Sequence, residues 1–235
     1  MLVAAAVCPC PPLLVPEVAS GAAPELEDAR ARCADALGVL AAARPDRLYV
    51  LGPAPEGALG VFPAGSTGSF AGFGADLSVR LGEGPGGGRP LPAPLAVGAW
   101  LLSRTDRSGV PVEGLGVDER ATAEECAATG RRLAASAERV ALLVLGDGSA
   151  CRTVKAPGYL DERAVGFDAE AARALGSADT AGVLALDAGL ARELKAAGRA
   201  PWQVLAGAAE GADLAGRLLH EDAPYGVEYL VAVWS

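Results

Sequence analysis

RVALLVL, residues 139–145, runs directly into GDGSACR, residues 146–152. Six consecutive aliphatic side chains with no polar alternation read as a buried β-strand, since a half-exposed strand would alternate apolar and polar positions. The glycine-rich polar turn at its carboxyl end is where an α/β fold would carry a catalytic loop. Upstream, Thr122 to Ala137 reads as a helix. Thr122 is its candidate cap, with Glu125 three residues on at the capping-box spacing.

The same alternation of elements extends both ways. Met1 to Val7 is an apolar first strand stopped by Cys8-Pro9-Cys10-Pro11-Pro12, whose prolines remove backbone donors. Pro24 to Ala43 places Leu26, Ala29, Cys33, Leu37 and Leu40 on one helical face, and Arg47 to Leu51 is a second strand ending in Gly52-Pro53-Ala54-Pro55. Strand, helix and strand in that order predict a right-handed crossover joining a parallel pair, with Cys10 and Pro53 on the carboxyl edge where ligands bind. Asp76 to Leu81 and Val112 to Val117 are further strands, and Leu95 to Arg104 is a helix. Gly82 to Pro94 is a surface connection. Helices are expected over Asp161 to Leu175, Asp179 to Leu186, Ala188 to Ala197 and Pro201 to Ala209. Closing strands over Leu214 to Leu219 and Val227 to Trp234 flank His220-Glu221-Asp222. The expected fold is a single α/β domain with a mostly parallel or mixed central sheet and helices on both faces.

Composition narrows the function. The 235 residues carry a net charge of −9, which argues against nucleic acid because phosphate contacts need a basic face. The amino terminus lacks a basic region and its apolar run is broken by proline, so neither a signal peptide nor a membrane span is expected and a cytoplasmic location is the default. Five cysteines at scattered positions suit reduced thiols, and Cys8-Pro9-Cys10 is not a CxxC motif. Gly65 to Gly74 lacks the lysine of a phosphate-binding loop. His220 is the one histidine, which bars the usual two- and three-histidine iron and zinc sites.

Five short segments in order resemble the class III extradiol ring-cleavage dioxygenase family, which includes the Memo-like proteins. Pro9-Cys10-Pro11-Pro12 is similar to that family's Pro-His-Pro-Pro, and Gly52-Pro53-Ala54-Pro55 to its Pro-His-Ala-Pro. Gly68 to Ala75 is similar to its Gly-x-Phe-x-x-Phe-Gly-Ala loop. Gly146-Asp147-Gly148-Ser149-Ala150, with Phe167-Asp168 beyond it, resembles Gly-Asp-Leu-Ser-His. Asp222 to Tyr229 resembles Glu-x-Pro-Phe-Gly-x-Gly-Tyr.

The resemblance implies a class III extradiol dioxygenase-like fold, and in ring-cleaving relatives an Fe(II) held by two histidines and a glutamate, with a further histidine as acid/base. Those positions fall on Cys10, Pro53, Asp222 and Ala150 respectively. Proline offers no donor atom and alanine moves no proton, so no cofactor is expected. If one were held it would be Zn or Fe, with Cys10, His220 and Asp222, and Glu221 or Cys151 nearby, as the weak candidate ligands. Asp147 and Ser149 survive from the loop, and Asp147 could cap the following segment by accepting backbone N–H bonds. The expected function is a non-catalytic protein that takes a small molecule or protein partner in the cleft between strand ends, and it could form a homo-oligomer. The alternatives are a metal enzyme of altered chemistry, a Cys10 nucleophile activated by His220, or a divergent dioxygenase completed by a second copy or partner chain.

Overall fold

The computed structural model describes residues 1–105 and 109–235. Nine strands are found there: β1 (Leu2–Cys8), β2 (Arg47–Pro53), β3 (Gly60–Phe62), β4 (Thr67–Ser69), β5 (Ser78–Arg80), β6 (Val112–Val117), β7 (Val140–Leu145), β8 (Gly216–Asp222) and β9 (Tyr229–Trp234). The helices are α1 (Pro16–Ala19), α2 (Glu27–Ala42), α3 (Ala93–Ser103), α4 (Ala123–Ala134), α5 (Arg163–Gly176), α6 (Thr180–Leu184), α7 (Ala188–Glu193) and α8 (Arg199–Ala208).

Seven strands form one mixed sheet in the order β3-β6-β2-β7-β1-β9-β8, with β6, β2, β7 and β1 parallel and the outer strands antiparallel to their neighbours. The architecture is thus α/β with helices on both faces. Every residue of β7 is buried because the strand lies between β2 and β1 and is covered above and below. Val140, Leu142 and Val144 point to the layer of α4, α5 and α8, while Ala141, Leu143 and Leu145 point to the layer of α2 and α3. On the second face, small side chains at Ala4, Ala6, Ala29 and Ala36 allow α2 to lie close to β1.

The first crossover differs from expectation in one respect. β1 and β2 are parallel, but β7, which arrives almost a hundred residues later, is inserted between them. The carboxyl ends still share one edge, with Cys8 level with Leu145 in the register. Asp76 to Leu81 yields only the three-residue β5, paired with β4 in a separate hairpin. The glycines around it serve backbone approach: Gly65 adopts φ +85° and its N–H donates to Leu81, and a side chain there would strike the Gly84 carbonyl. The last hairpin is shifted, since β8 continues through His220 to Asp222 instead of stopping before it.

Helix α4 carries the complete capping box: the Thr122 hydroxyl accepts from the Glu125 N–H at 3.2 Å, and Glu125 Oε2 accepts from the Thr122 N–H at 2.9 Å. It packs on α8 with backbone against backbone, because a Cβ at Gly130 would meet Val204 and Gly207, and one at Gly207 would meet Ala127. The indole of Trp234 donates to the Leu175 carbonyl at 2.6 Å and fastens β9 to α5. Among the described residues no helix is long and apolar enough to cross a membrane.

Candidate functional site

The carboxyl ends of β1, β2, β6 and β7 and the start of β9 meet along one edge, and the turn after β7 is its centre. That turn is held by its own backbone. The Gly148 and Arg152 N–H groups donate to Glu228 and Gly226, and the Glu228 N–H returns to Ser149. The Ala150 N–H donates to Leu194, and the Gly198 N–H donates to the Asp147 carbonyl at 2.8 Å. Gly146 faces the Gly198 backbone and has no room for a side chain.

Asp147 and Cys10 sit together on the α2 side of the edge, where the Cys10 backbone N–H donates to Asp147 Oδ1 at 2.8 Å. The aspartate therefore caps the loop after β1, and not the segment that follows it in sequence. Burial pushes Asp147 up to about 6 against the pull of the Cys10 hydrogen bonds. Burial first, then the charge of Asp147, drives the Cys10 thiol well above its ordinary value, as burial does for the Tyr229 hydroxyl. A thiol so placed is protonated and poorly nucleophilic. Pro53 closes β2, in register with Val117 on β6. Ala150 is buried, and its carbonyl accepts from the Gly158 N–H at 2.8 Å.

The candidate ligands do not converge. His220 lies opposite Val231 beyond a register shift, and its Nδ1 is 2.9 Å from Asp28 Oδ2 on α2. Asp222 is exposed, and its Oδ1 accepts from the N–H of Ala223 at 2.8 Å. Glu221 is exposed opposite Leu230, and the Cys151 thiol is buried against the Leu194 carbonyl at 3.4 Å. Among the described residues no three His, Cys, Asp or Glu side chains are grouped to hold a metal ion. The substituted set of Cys10, His220 and Asp222 is therefore not assembled. His220 is engaged by a helix, and Asp222 turns back on its own chain.

A cluster that residue spacing did not reveal lies on the opposite face of the same edge. Asp168 on α5 is fully buried. Its Oδ1 accepts from the Ser149 N–H at 2.8 Å, and its Oδ2 from the Ser149 hydroxyl at 2.6 Å and from Arg152 Nη1 at 3.3 Å. The same Arg152 nitrogen donates to Oε2 of Glu228, whose Oε1 is buried without a hydrogen-bond partner. Two buried carboxylates thus share one guanidinium. Burial, then the charge of Asp168, raises Glu228 to about 7 against the pull of Arg152, while burial raises Asp168 against the hydrogen bonds from Ser149. Asp168 and Glu228 both stand in segments quoted for the family resemblance, but only the fold brings them to Ser149.

These raised acids set the sign of the pH dependence. A carboxyl group whose folded value lies above its unfolded value favours the folded state when protonated, so its contribution is complete below about pH 4 and is lost as the pH rises through the folded value. For Asp147 and Glu228 the loss falls at about 6 and about 7. The urea midpoint should accordingly fall between about pH 5 and about pH 8, each group contributing no more than about 1.4 kcal/mol per pH unit. Asp147→Asn and Glu228→Gln should each flatten the profile; a wild-type midpoint that is level or rises over this range would contradict the assignment.

No family model and no curated protein matches the chain. Among solved structures, the crystal structure of uncharacterized protein JW3007 from Escherichia coli K12 is similar, with a TM-score of 0.56 and 16% identity over 99% of each chain. At that identity the likeness shows a shared fold.

Proposed function

We propose that this chain is a degenerate class III extradiol dioxygenase-like protein that has exchanged ring cleavage for binding of a small molecule or protein partner at the strand-end edge. The observation that carries this reading is a reciprocal exchange between two of the resembling segments. Where the family pattern has leucine in the loop after β7, this chain has Gly148; where the pattern has glycine before the final tyrosine, this chain has Glu228. A Cβ on Gly148 would lie 2.7 Å from the Glu228 Cβ and 2.9 Å from Asp168 Oδ1, so the volume given up by one residue is taken by the other. A matched pair of this kind supports descent from the family pattern with the packing preserved.

The chemistry of the family does not fit the same edge. Pro53 has no donor and Ala150 no titratable group, and the Cys10 and Asp222 positions face different partners. Fe(II) of the ring-cleaving type needs two imidazoles and a carboxylate on one face of the ion with positions left open, and those residues are not present. The ionisable groups that remain are engaged with one another: Asp147 holds the Cys10 loop, and Asp168 and Glu228 hold Arg152. A cytoplasmic setting accords with the reduced state of all five cysteines.

The test is elemental analysis of protein purified without added metal, together with oxygen uptake in the presence of catechol and protocatechuate. Substoichiometric iron and zinc and no uptake are expected, with no change in metal content on Cys10→Ala, His220→Ala or Asp222→Ala. Stoichiometric metal that is lost in any of these variants would establish a metal enzyme of altered chemistry. Ring opening by the isolated chain or its oligomer would establish a divergent dioxygenase.

A further inference from the structure

A cavity of about 160 Å³ opens between β6 and α4, on the face of the sheet opposite Cys10 and Asp147. Its floor is apolar: Leu115 and Val117 from β6 and Val204 from α8 belong to, or pack on, the core of that face. Cys126 adds to this surface as a neutral thiol, pushed up to about 11 by burial. The volume matches what a benzene-sized group requires.

The mouth is charged with both signs. Glu125, Thr129 and Arg132 recur at the fourth and third residues along α4 and so share one helical face, and Asp118 follows the end of β6. Arg132 Nη2 donates to the Thr129 hydroxyl at 3.1 Å, which folds the guanidinium back by a turn toward Glu125. Among the described residues Arg132 pairs with no carboxylate, whereas its neighbour Arg131 is bound to Glu210 at 2.8 Å. Asp118 Oδ1 accepts from the Arg120 N–H at 2.9 Å, and the capping box occupies one oxygen of Glu125, leaving the other free. Hydrogen bonds from Thr122 keep that carboxylate ionised.

We propose that this cavity binds a small zwitterion with a short apolar side chain, an α-amino acid of leucine or phenylalanine size. The side chain would enter between Leu115, Val117 and Val204, the carboxylate would meet the open fork of Arg132, and the ammonium would meet Asp118 and the free oxygen of Glu125. An arginine fork suits a planar carboxylate, and a neutral hydrocarbon ligand would leave all three charges unanswered. The cavity also borders the carboxyl end of β6, the side of an α/β sheet on which ligands bind. The inference is independent of the dioxygenase-like reading.

Titration of the whole chain with L-leucine and L-phenylalanine to millimolar concentration, followed by calorimetry or amide chemical shifts, tests the site. Saturable binding is expected. 3-Methylbutylamine, which lacks the carboxylate, and 4-methylpentanoate, which lacks the ammonium, should each bind at least about tenfold more weakly. Thr129→Trp, on a partly exposed helical position, should fill the mouth and abolish binding. Arg132→Gln, at the surface, should weaken the amino acid about tenfold and leave the amine unaffected. Absence of saturable binding, binding that survives both substitutions, or equal affinity for the amine, the acid and the amino acid would overturn the proposal.

Discussion

Replacing Arg199 with methionine should lower the free energy of unfolding by about 3 kcal/mol, read from the urea midpoint at constant slope. Arg199 is 2% exposed, yet no carboxylate pairs with it among the described residues. Its guanidinium donates to the Ala121 carbonyl at 2.6 Å, to the Glu119 carbonyl and to Gln203 Oε1 at 2.9 Å, so it holds the segment joining β6 to α4 against α8. Gln203 in turn donates to Val183, Leu184 and Leu186 and closes the end of α6. Methionine keeps the bulk but leaves these acceptors in a dry interior, where each unpaired group costs about 1–3 kcal/mol. Part of that loss is returned because burying the guanidinium is itself unfavourable, as its lowered basicity shows. Gln203→Leu in the same background should cost less than it does alone, since one hydrogen bond cannot be lost twice. Additive losses would mean that the two side chains act separately.

Arg152→Ala should destabilise the chain by about 3 kcal/mol near pH 8, because it strands Asp168 and Glu228 as neighbouring buried anions. The loss should shrink toward pH 5, where Glu228, already raised to about 7 and higher still without the cation, takes up a proton. Glu228→Gln added to Arg152→Ala should recover much of the stability at alkaline pH and little in acid. Chemical denaturation of the four proteins at both pH values decides the matter. A penalty that does not vary with pH would assign the role of Arg152 to packing of its methylenes, not to charge.

What local pattern controls was legible in the sequence. β7 announced itself as six aliphatic residues in a row, β6 matched its expected bounds, and the Thr122 cap with Glu125 predicted the start of α4. Three-residue strands such as β3 and β4 are too short to carry a periodic signal, and their pairing is set by the longer strand beside them. The insertion of β7 between β1 and β2 is a choice among topologies that obey the same crossover rule.

The candidate site was legible in outline only. Asp147 and Ser149 stood out as polar residues at a strand end, and the structure places both there. Their partners could not be read, because Ser149, Asp168 and Glu228 come from three distant segments and acidic residues are ordinarily at the surface. Arg199 was hidden for a related reason. A helix expected to begin at Pro201 leaves that arginine in a loop, whereas α8 begins at Arg199 itself.

The meeting of Gly130 and Gly207 has a mechanical meaning. Ordinary helix pairs are separated by a cushion of side chains that can change rotamer and absorb a small slip; here the peptide planes themselves abut, and no such compliance exists. α4 and α8 must therefore rock as one lever. Its far end is pinned where Gly198 is tied to Asp147 at the tip of β7, so strain applied to the outer wall of the domain arrives at the strand-end turn without being dissipated on the way.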